Sequence, residues 1–255
     1  MSTGSENFAG QTVLVTGGSR GVGLGVVRGF LAAGADVVTC GRAETADVDA
    51  RYLQADVRDV SQVDALVSAV VAEFGRLDVV VNNAGGSPPV DAATASPRLH
   101  EKIIALNLLA PLHVSQRANT VMQQQDSGGV IVMIGSVSGT RPSPGTAAYG
   151  AAKAGLANLA TSLAVEWAPK VRVNTVVVGP VDTELSHLHY GDAEGVAAVG
   201  ATIPAGRMAK PADVAEACLF LASPSAGFIS GSTLTVHGGG ERPAFLAASN
   251  AAPPR

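Results

Sequence analysis

The sequence predicts an α/β fold built on an open parallel sheet, and two local features and one compositional one point to it. Short apolar runs of strand length recur along the chain, and one of them, residues 130–134 (Val-Ile-Val-Met-Ile), reads as a strand buried on both faces. A glycine-rich turn directly follows the first such run and opens a helix. At 255 residues with 47% hydrophobic and 15% charged side chains, the chain is long and apolar enough to bury the core such a sheet needs.

The first strand, Thr12–Thr16, runs into Gly17-Gly18-Ser19-Arg20-Gly21-Val22-Gly23, and the apolar segment that follows is stopped by Gly34, a glycine just past a helix end. Such a turn lets backbone approach a pyrophosphate, and the helix N-terminus adds free N–H groups and partial positive charge. The second strand, residues 36–40, ends in Gly41-Arg42. An acidic residue there would bind the adenosine ribose hydroxyls, whereas a basic one accommodates a 2′-phosphate. Position 41 carries no carboxylate, and Arg42 and Arg20 both offer the planar donor fork that suits phosphate, so NADP is favoured over NAD.

Residues 43–50 are short and polar and leave little room for a full helix, after which residues 52–55 read as a strand leading into Asp56-Val57. Asp56 is a candidate acceptor for an adenine amino group, with a turn or capping role as the alternative. Helical periodicity spans Val60–Phe74, and the strand at 77–81 leads into Asn82-Asn83-Ala84-Gly85-Gly86, a composition suited to local backbone hydrogen bonds and close cofactor approach. A proline-bearing loop covers residues 87–97 and a long helix covers 99–125. Asn107 stands in the middle of that helix between Leu106 and Leu108, where an Asn is mildly unfavourable and needs a reason.

Beyond the strand at 130–134, Ser136 precedes a helix over residues 147–167 that stops before Pro169 and carries Tyr149 and Lys153 four positions apart, hence on one face. The Ala, Leu and Gly faces of this helix also suit packing against a second subunit. A phenol titrating near ~10 is a poor acid or base at neutral pH until a cation stabilises its phenolate. Lys153 is spaced to do that, Tyr149 to exchange a proton with a substrate oxygen, and Ser136 to hold that oxygen. Val171–Val178 is the sixth strand and leads into Gly179-Pro180-Val181-Asp182-Thr183. Residues 184–203, with His187, His189 and Tyr190, are the least regular stretch and are expected to form a mobile lid. A helix over Pro211–Ala222, a last strand over Thr233–Val236 and a frayed tail at about 244–255 complete a single domain over residues 1–255.

A net charge of −4 with scattered Lys and Arg argues against nucleic-acid or membrane partners. Cys40 and Cys218 are too few for a disulfide framework and sit in apolar runs, and the histidines of the lid lack the acidic or thiol company a metal site needs, so no metal is expected. The first residues show no basic-then-apolar signal pattern and no apolar run reaches membrane-spanning length, which makes the cytoplasm the expected location.

Thr16-Gly17-x-x-x-Gly21-x-Gly23, Asp56, Asn82-Asn83-Ala84-Gly85, Asn107, Ser136 and Tyr149-x-x-x-Lys153 occur in the order and approximate spacing of the short-chain dehydrogenase/reductases, a resemblance that spans roughly residues 10–240. It implies a three-layer, doubly wound Rossmann fold with seven parallel strands, and hydride transfer between NAD(P)(H) and an alcohol or carbonyl carbon. By the family pattern Tyr149 is the general acid/base, Ser136 holds the reacting oxygen, and Lys153 binds the nicotinamide ribose and depresses the tyrosine pKa. Asn107 would support a water that links Lys153 to solvent. Gly17, Ser19, Arg20, Gly21, Val22, Gly23, Arg42, Asp56, Val57, Asn83, Ala84, Gly85, Gly179, Pro180, Val181 and Thr183 are the expected cofactor contacts, together with Tyr149 and Lys153. The resemblance further implies a homodimer or homotetramer acting on a small-molecule alcohol or ketone, with a 3-oxoacyl-carrier-protein reductase as an alternative and a non-catalytic dinucleotide sensor as a remote one. Two departures stand out: Val178-Gly179-Pro180 where the family has Pro-Gly, and Val236-His237-Gly238-Gly239 where it has Val-Asp-Gly-Gly.

Overall fold

A computed structural model describes residues 7–44 and 47–248. Seven strands form one sheet in which every pairing is parallel: β1 (Thr12–Thr16), β2 (Asp36–Gly41), β3 (Arg51–Gln54), β4 (Val79–Asn82), β5 (Gly129–Ser136), β6 (Val171–Val178) and β7 (Thr233–Val236), in the spatial order 3-2-1-4-5-6-7. Side chains alternate across the sheet, so each central strand feeds two cores. Val13, Val15, Val79, Val81, Val130 and Val132 face one side, and Leu14, Val80, Ile131 and Met133 the other. Helices α1 (Gly21–Ala32) and α8 (Pro211–Ala222) cover the first face. The second is covered by α2 (Val60–Phe74), α4 (Ala110–Met122) and α5 (Ala147–Glu166). Burial on both faces explains why these strands are apolar without alternation.

The chain reverses its winding between β1 and β4, which lie side by side, and that reversal opens a crevice at the carboxyl ends of the strands. Local chemistry sets the elements around it. Asp59 caps α2 by accepting the N–H groups of Ser61 and Gln62, and Gly75 ends that helix with φ +76°. Among the described residues no helix joins β2 to β3, in line with the short polar stretch seen in the sequence.

Some boundaries differ from the sequence expectation. Helix α3 (Pro97–Ile104) begins two residues early because Ser96 accepts the Leu99 N–H and Pro97 takes the first helical position, where its missing N–H costs nothing. The expected long helix is interrupted by a wide turn over Ala105–Leu109 centred on Asn107, after which α4 continues. Residues 184–203 are not irregular: they fold as α6 (His187–Tyr190) and α7 (Ala193–Thr202), the latter capped by Asp192 accepting the Gly195 N–H. The start of the expected tail is a short helix, α9 (Ala244–Ala248), and residues 249–255 lie outside the described residues. Among the described residues no helix is long and apolar enough to cross a membrane.

Candidate active site

Strand β5 runs two residues further than its apolar core and delivers Ser136 to the crevice as its last residue, where the hydroxyl accepts the Ser138 N–H at 3.2 Å. The chain then passes through a 3-10 turn at Val137–Gly139 and a loop over residues 140–146 into α5, whose first two turns carry Tyr149 and Lys153 on one face. Lys153 is 5% exposed, and its Nζ donates to the Ile134 carbonyl at 2.6 Å and sits 5.6 Å from the centre of the Tyr149 ring. Burial without a carboxylate partner brings its pKa down to about 8 from an ordinary 10.5.

Burial pushes the Tyr149 phenol upward, the Ser136 hydroxyl partly offsets that, and the nearby Tyr190 phenol adds to it. Both groups are desolvated, and the Lys153 ammonium donates its short hydrogen bond to a backbone carbonyl, so burial is the largest influence on the phenol. Asn107 is fully buried, and the wide turn aims its amide out of the helix so that Oδ1 accepts the Gly86 N–H while Nδ2 donates to the Gly86 and Ile103 carbonyls, each at 2.9 Å. That is the reason for an Asn in an apolar helix: it fixes the Gly85-Gly86 backbone. The approach is close, since a Cβ at Gly85 would lie 2.7 Å from Asn107 Oδ1 and 3.4 Å from Lys153 Nζ.

On the other side of the crevice, β1 ends at Thr16, whose hydroxyl accepts the N–H groups of Asn83 and Ala84 at 3.0 Å, while Asn83 Nδ2 returns hydrogen bonds to the Thr16 and Gly17 carbonyls. These bonds lock the glycine turn onto the end of β4. Thr39 locks it onto β2 by accepting the Gly18 N–H at 2.8 Å and donating to the Val15 carbonyl at 2.7 Å. Gly21 has φ +55°, which favours glycine, and a Cβ at Gly23 would lie 2.3 Å from the Gly17 carbonyl oxygen and 2.4 Å from Asn83 Nδ2. Gly23→Ala is expected to open this turn and weaken dinucleotide binding at least 10-fold, read by fluorescence titration, while the far-UV circular dichroism stays unchanged.

One cavity of about 680 Å³ connects these parts. Of the candidate residues, Gly17, Ser19, Arg20, Gly21, Val22, Gly23, Arg42, Asp56, Val57, Asn83, Ala84, Gly85, Ser136, Tyr149, Lys153, Gly179, Val181 and Thr183 line it. Asn107 and Pro180 do not: Asn107 is sealed behind Gly85-Gly86, and the Pro180 carbonyl accepts the Ala209 N–H at 3.0 Å in a bridge between the 179–183 loop and the chain before α8. Leu185, expected from the sequence as part of an apolar wall, lines the cavity; sequence reasoning missed Arg58, which also lines it, and the positioning hydroxyl of Thr39. Arg58 was signalled by its place two residues after Asp56. Its Nε approaches the two Asp56 oxygens at 2.9 and 3.2 Å and holds that carboxyl below the usual range.

The cavity fits a dinucleotide. Helix α1 has no acid in its first turn and no side-chain cap from Arg20, its first residues line the cavity, and Arg20, Arg42 and Arg58 line the same cavity. Among the described residues no cluster of His, Cys, Asp and Glu is arranged to hold a metal ion. Cys40 and Cys218 are buried and free, and burial raises their thiols to about 11 and about 12.

Residues 17–241 match the profile of a family described as enoyl-(acyl carrier protein) reductase. The chain is 36% identical over 251 residues to a 3beta-hydroxysteroid dehydrogenase of Eggerthella lenta, covering 92% of this chain and 95% of that one. It is 36% identical over 242 residues to the 3-oxoacyl-[acyl-carrier-protein] reductase of Escherichia coli, covering 91% and 98%. The ligand-free aldohexose dehydrogenase of Thermoplasma acidophilum superposes with a TM-score of 0.87 at 28% identity, covering 98% of both chains.

Proposed function

From the premise that the chain belongs to the short-chain dehydrogenase/reductase family, we propose that it moves a hydride between NADP(H) and an alcohol or carbonyl carbon through Ser136, Tyr149, Lys153 and Asn107. Family members are oxidoreductases that act on CH–OH or carbonyl groups with a nicotinamide dinucleotide. The observation that carries the finer reading is that Ser136, Tyr149 and Lys153 open into the same cavity as the glycine turn and three arginines. The dinucleotide supplies or accepts the hydride at its nicotinamide.

In this reading Ser136 donates a hydrogen bond to the reacting oxygen, and Tyr149 gives that oxygen a proton in reduction and takes it back in oxidation. Lys153 binds the nicotinamide ribose and carries positive charge beside the phenol. Asn107 holds the Gly85-Gly86 backbone against the ammonium and supports the water through which Lys153 is resupplied with protons. The segment from Leu185 to Tyr190 forms the substrate wall, where half-buried Tyr190 and cavity-lining Leu185 favour an apolar alcohol or ketone. The identity to an acyl-carrier-protein reductase supports a second reading, a 3-oxoacyl thioester as substrate, and rates with a 3-oxoacyl thioester and a 3-ketosteroid separate the two. Val165, 81% exposed on α5, supports packing of the long helices against a second copy in a homodimer or homotetramer.

The preference for NADP rests on Arg42, with Arg20 beside the glycine turn and Arg58 against Asp56. Arg42→Ala is expected to weaken NADPH binding roughly 10- to 100-fold and leave NADH nearly unchanged, since a charge-assisted contact to phosphate is worth ~1.5–3 kcal/mol. Equal losses for both dinucleotides, or none, would remove the basis for the 2′-phosphate assignment.

A further inference from the structure

Glu184 ties the start of the 184–203 segment to the first residue of α1. Its Oε1 accepts the Gly21 N–H at 2.9 Å across 163 residues of sequence. Helix α1 supplies no such group itself, having neither an acid in its first turn nor a capping side chain at Arg20. A distant carboxylate thus stands at the positive end of the glycine-turn helix, the place where a dinucleotide's pyrophosphate is received. Its neighbours Thr183 and Leu185 line the cavity, and Thr183 Cγ2 lies 3.8 Å from where a Gly21 Cβ would be, so the contact draws the whole start of the segment onto the turn.

We propose that Glu184 is a latch: its carboxylate stands in for a phosphate oxygen, holds the 184–203 segment against the glycine turn in the free protein, and is displaced when the pyrophosphate binds. The inference rests on the dinucleotide reading above. One N–H group cannot serve both acceptors well, and two anions at one helix end repel. Displacement of Glu184 releases the chain that carries Leu185, His189 and Tyr190, so the dinucleotide binds before the substrate wall takes its working position. Glu184 is exposed, which makes the latch weak, reversible and sensitive to salt.

The test compares wild type, Glu184→Gln and Glu184→Ala by fluorescence titration with NADPH and by amide hydrogen exchange of residues 184–203 without ligand. The expected result is NADPH binding roughly 2- to 5-fold tighter in both variants at low salt, with the gap closing at high salt. In Glu184→Ala, exchange in the free protein should rise to the level that wild type reaches only with NADPH bound. Unchanged affinity with normal NADPH binding by wild type overturns the latch and leaves the cofactor reading standing, as does weaker binding in Glu184→Ala. Failure of wild type to bind either NADPH or NADH overturns both.

Discussion

Tyr149→Phe is expected to lower kcat by roughly 10²- to 10⁴-fold, the usual contribution of a positioned acid or base, while the dissociation constant for NADPH moves less than about 2-fold. The substitution deletes one oxygen and keeps the ring, so the packing of the first turns of α5 survives. Affinity is held elsewhere, by the glycine turn, the Thr16–Asn83 cross-link and the arginines. Loss of rate without loss of affinity is the mark of a group that acts only in the transition state. Burial raises the phenol pKa, so the proton needed for reduction is present through neutral pH, and reduction is expected to vary little there while alcohol oxidation climbs as pH rises. A fall in kcat of less than about 10-fold would assign the proton to another group.

Lys153→Met is the second large effect, and it acts on stability as well as rate. Burial lowers the lysine from 10.5 to about 8, so the folded state disfavours the charged form by about 3 kcal/mol. With a depressed pKa on a cationic group, that cost is present in full below about pH 8 and fades as pH rises from about 8 to 10.5. Wild type is therefore expected to gain up to ~3 kcal/mol relative to the variant between pH 7 and pH 10 in urea denaturation. At pH 7 the variant escapes the cost of the buried charge but leaves the Ile134 carbonyl without its donor, a loss of ~1–3 kcal/mol, so the pH dependence is the sharper readout. Its turnover should fall with that of Tyr149→Phe while the fold persists, the pattern of a group retained for activity at the expense of stability. Parallel stability curves for the two proteins across this range would show that Lys153 is not held as a buried cation.

The order of elements and the crevice were legible in the sequence because they rest on strong local rules. Apolar strands buried on both faces, a glycine turn after the first strand and a Tyr-Lys pair at helical spacing all keep their meaning whatever packs around them. The interruption at Ala105–Leu109 was not legible as a backbone feature, although the oddity of Asn107 in an apolar helix was its sign. A wide turn is set by what its side chain reaches, here Gly86 from a different loop. Residues 184–203 read as irregular because their cues are short-range, a cap at Asp192 and a turn at Gly191, rather than a long apolar stripe. The Arg58–Asp56 pair and the Glu184–Gly21 contact were equally hidden, since ion pairs and long-range caps leave no periodicity behind.

The most direct measurement is transfer of deuterium from NADPH labelled at the nicotinamide hydride position, followed by mass spectrometry of the product alcohol after incubation with a 3-ketosteroid and, separately, a 3-oxoacyl thioester. Label on the carbinol carbon from at least one of them, lost in Tyr149→Phe under the same conditions, is the predicted result. Tight NADPH binding with no label in either product, or label that persists undiminished in Tyr149→Phe, would contradict hydride transfer through this site.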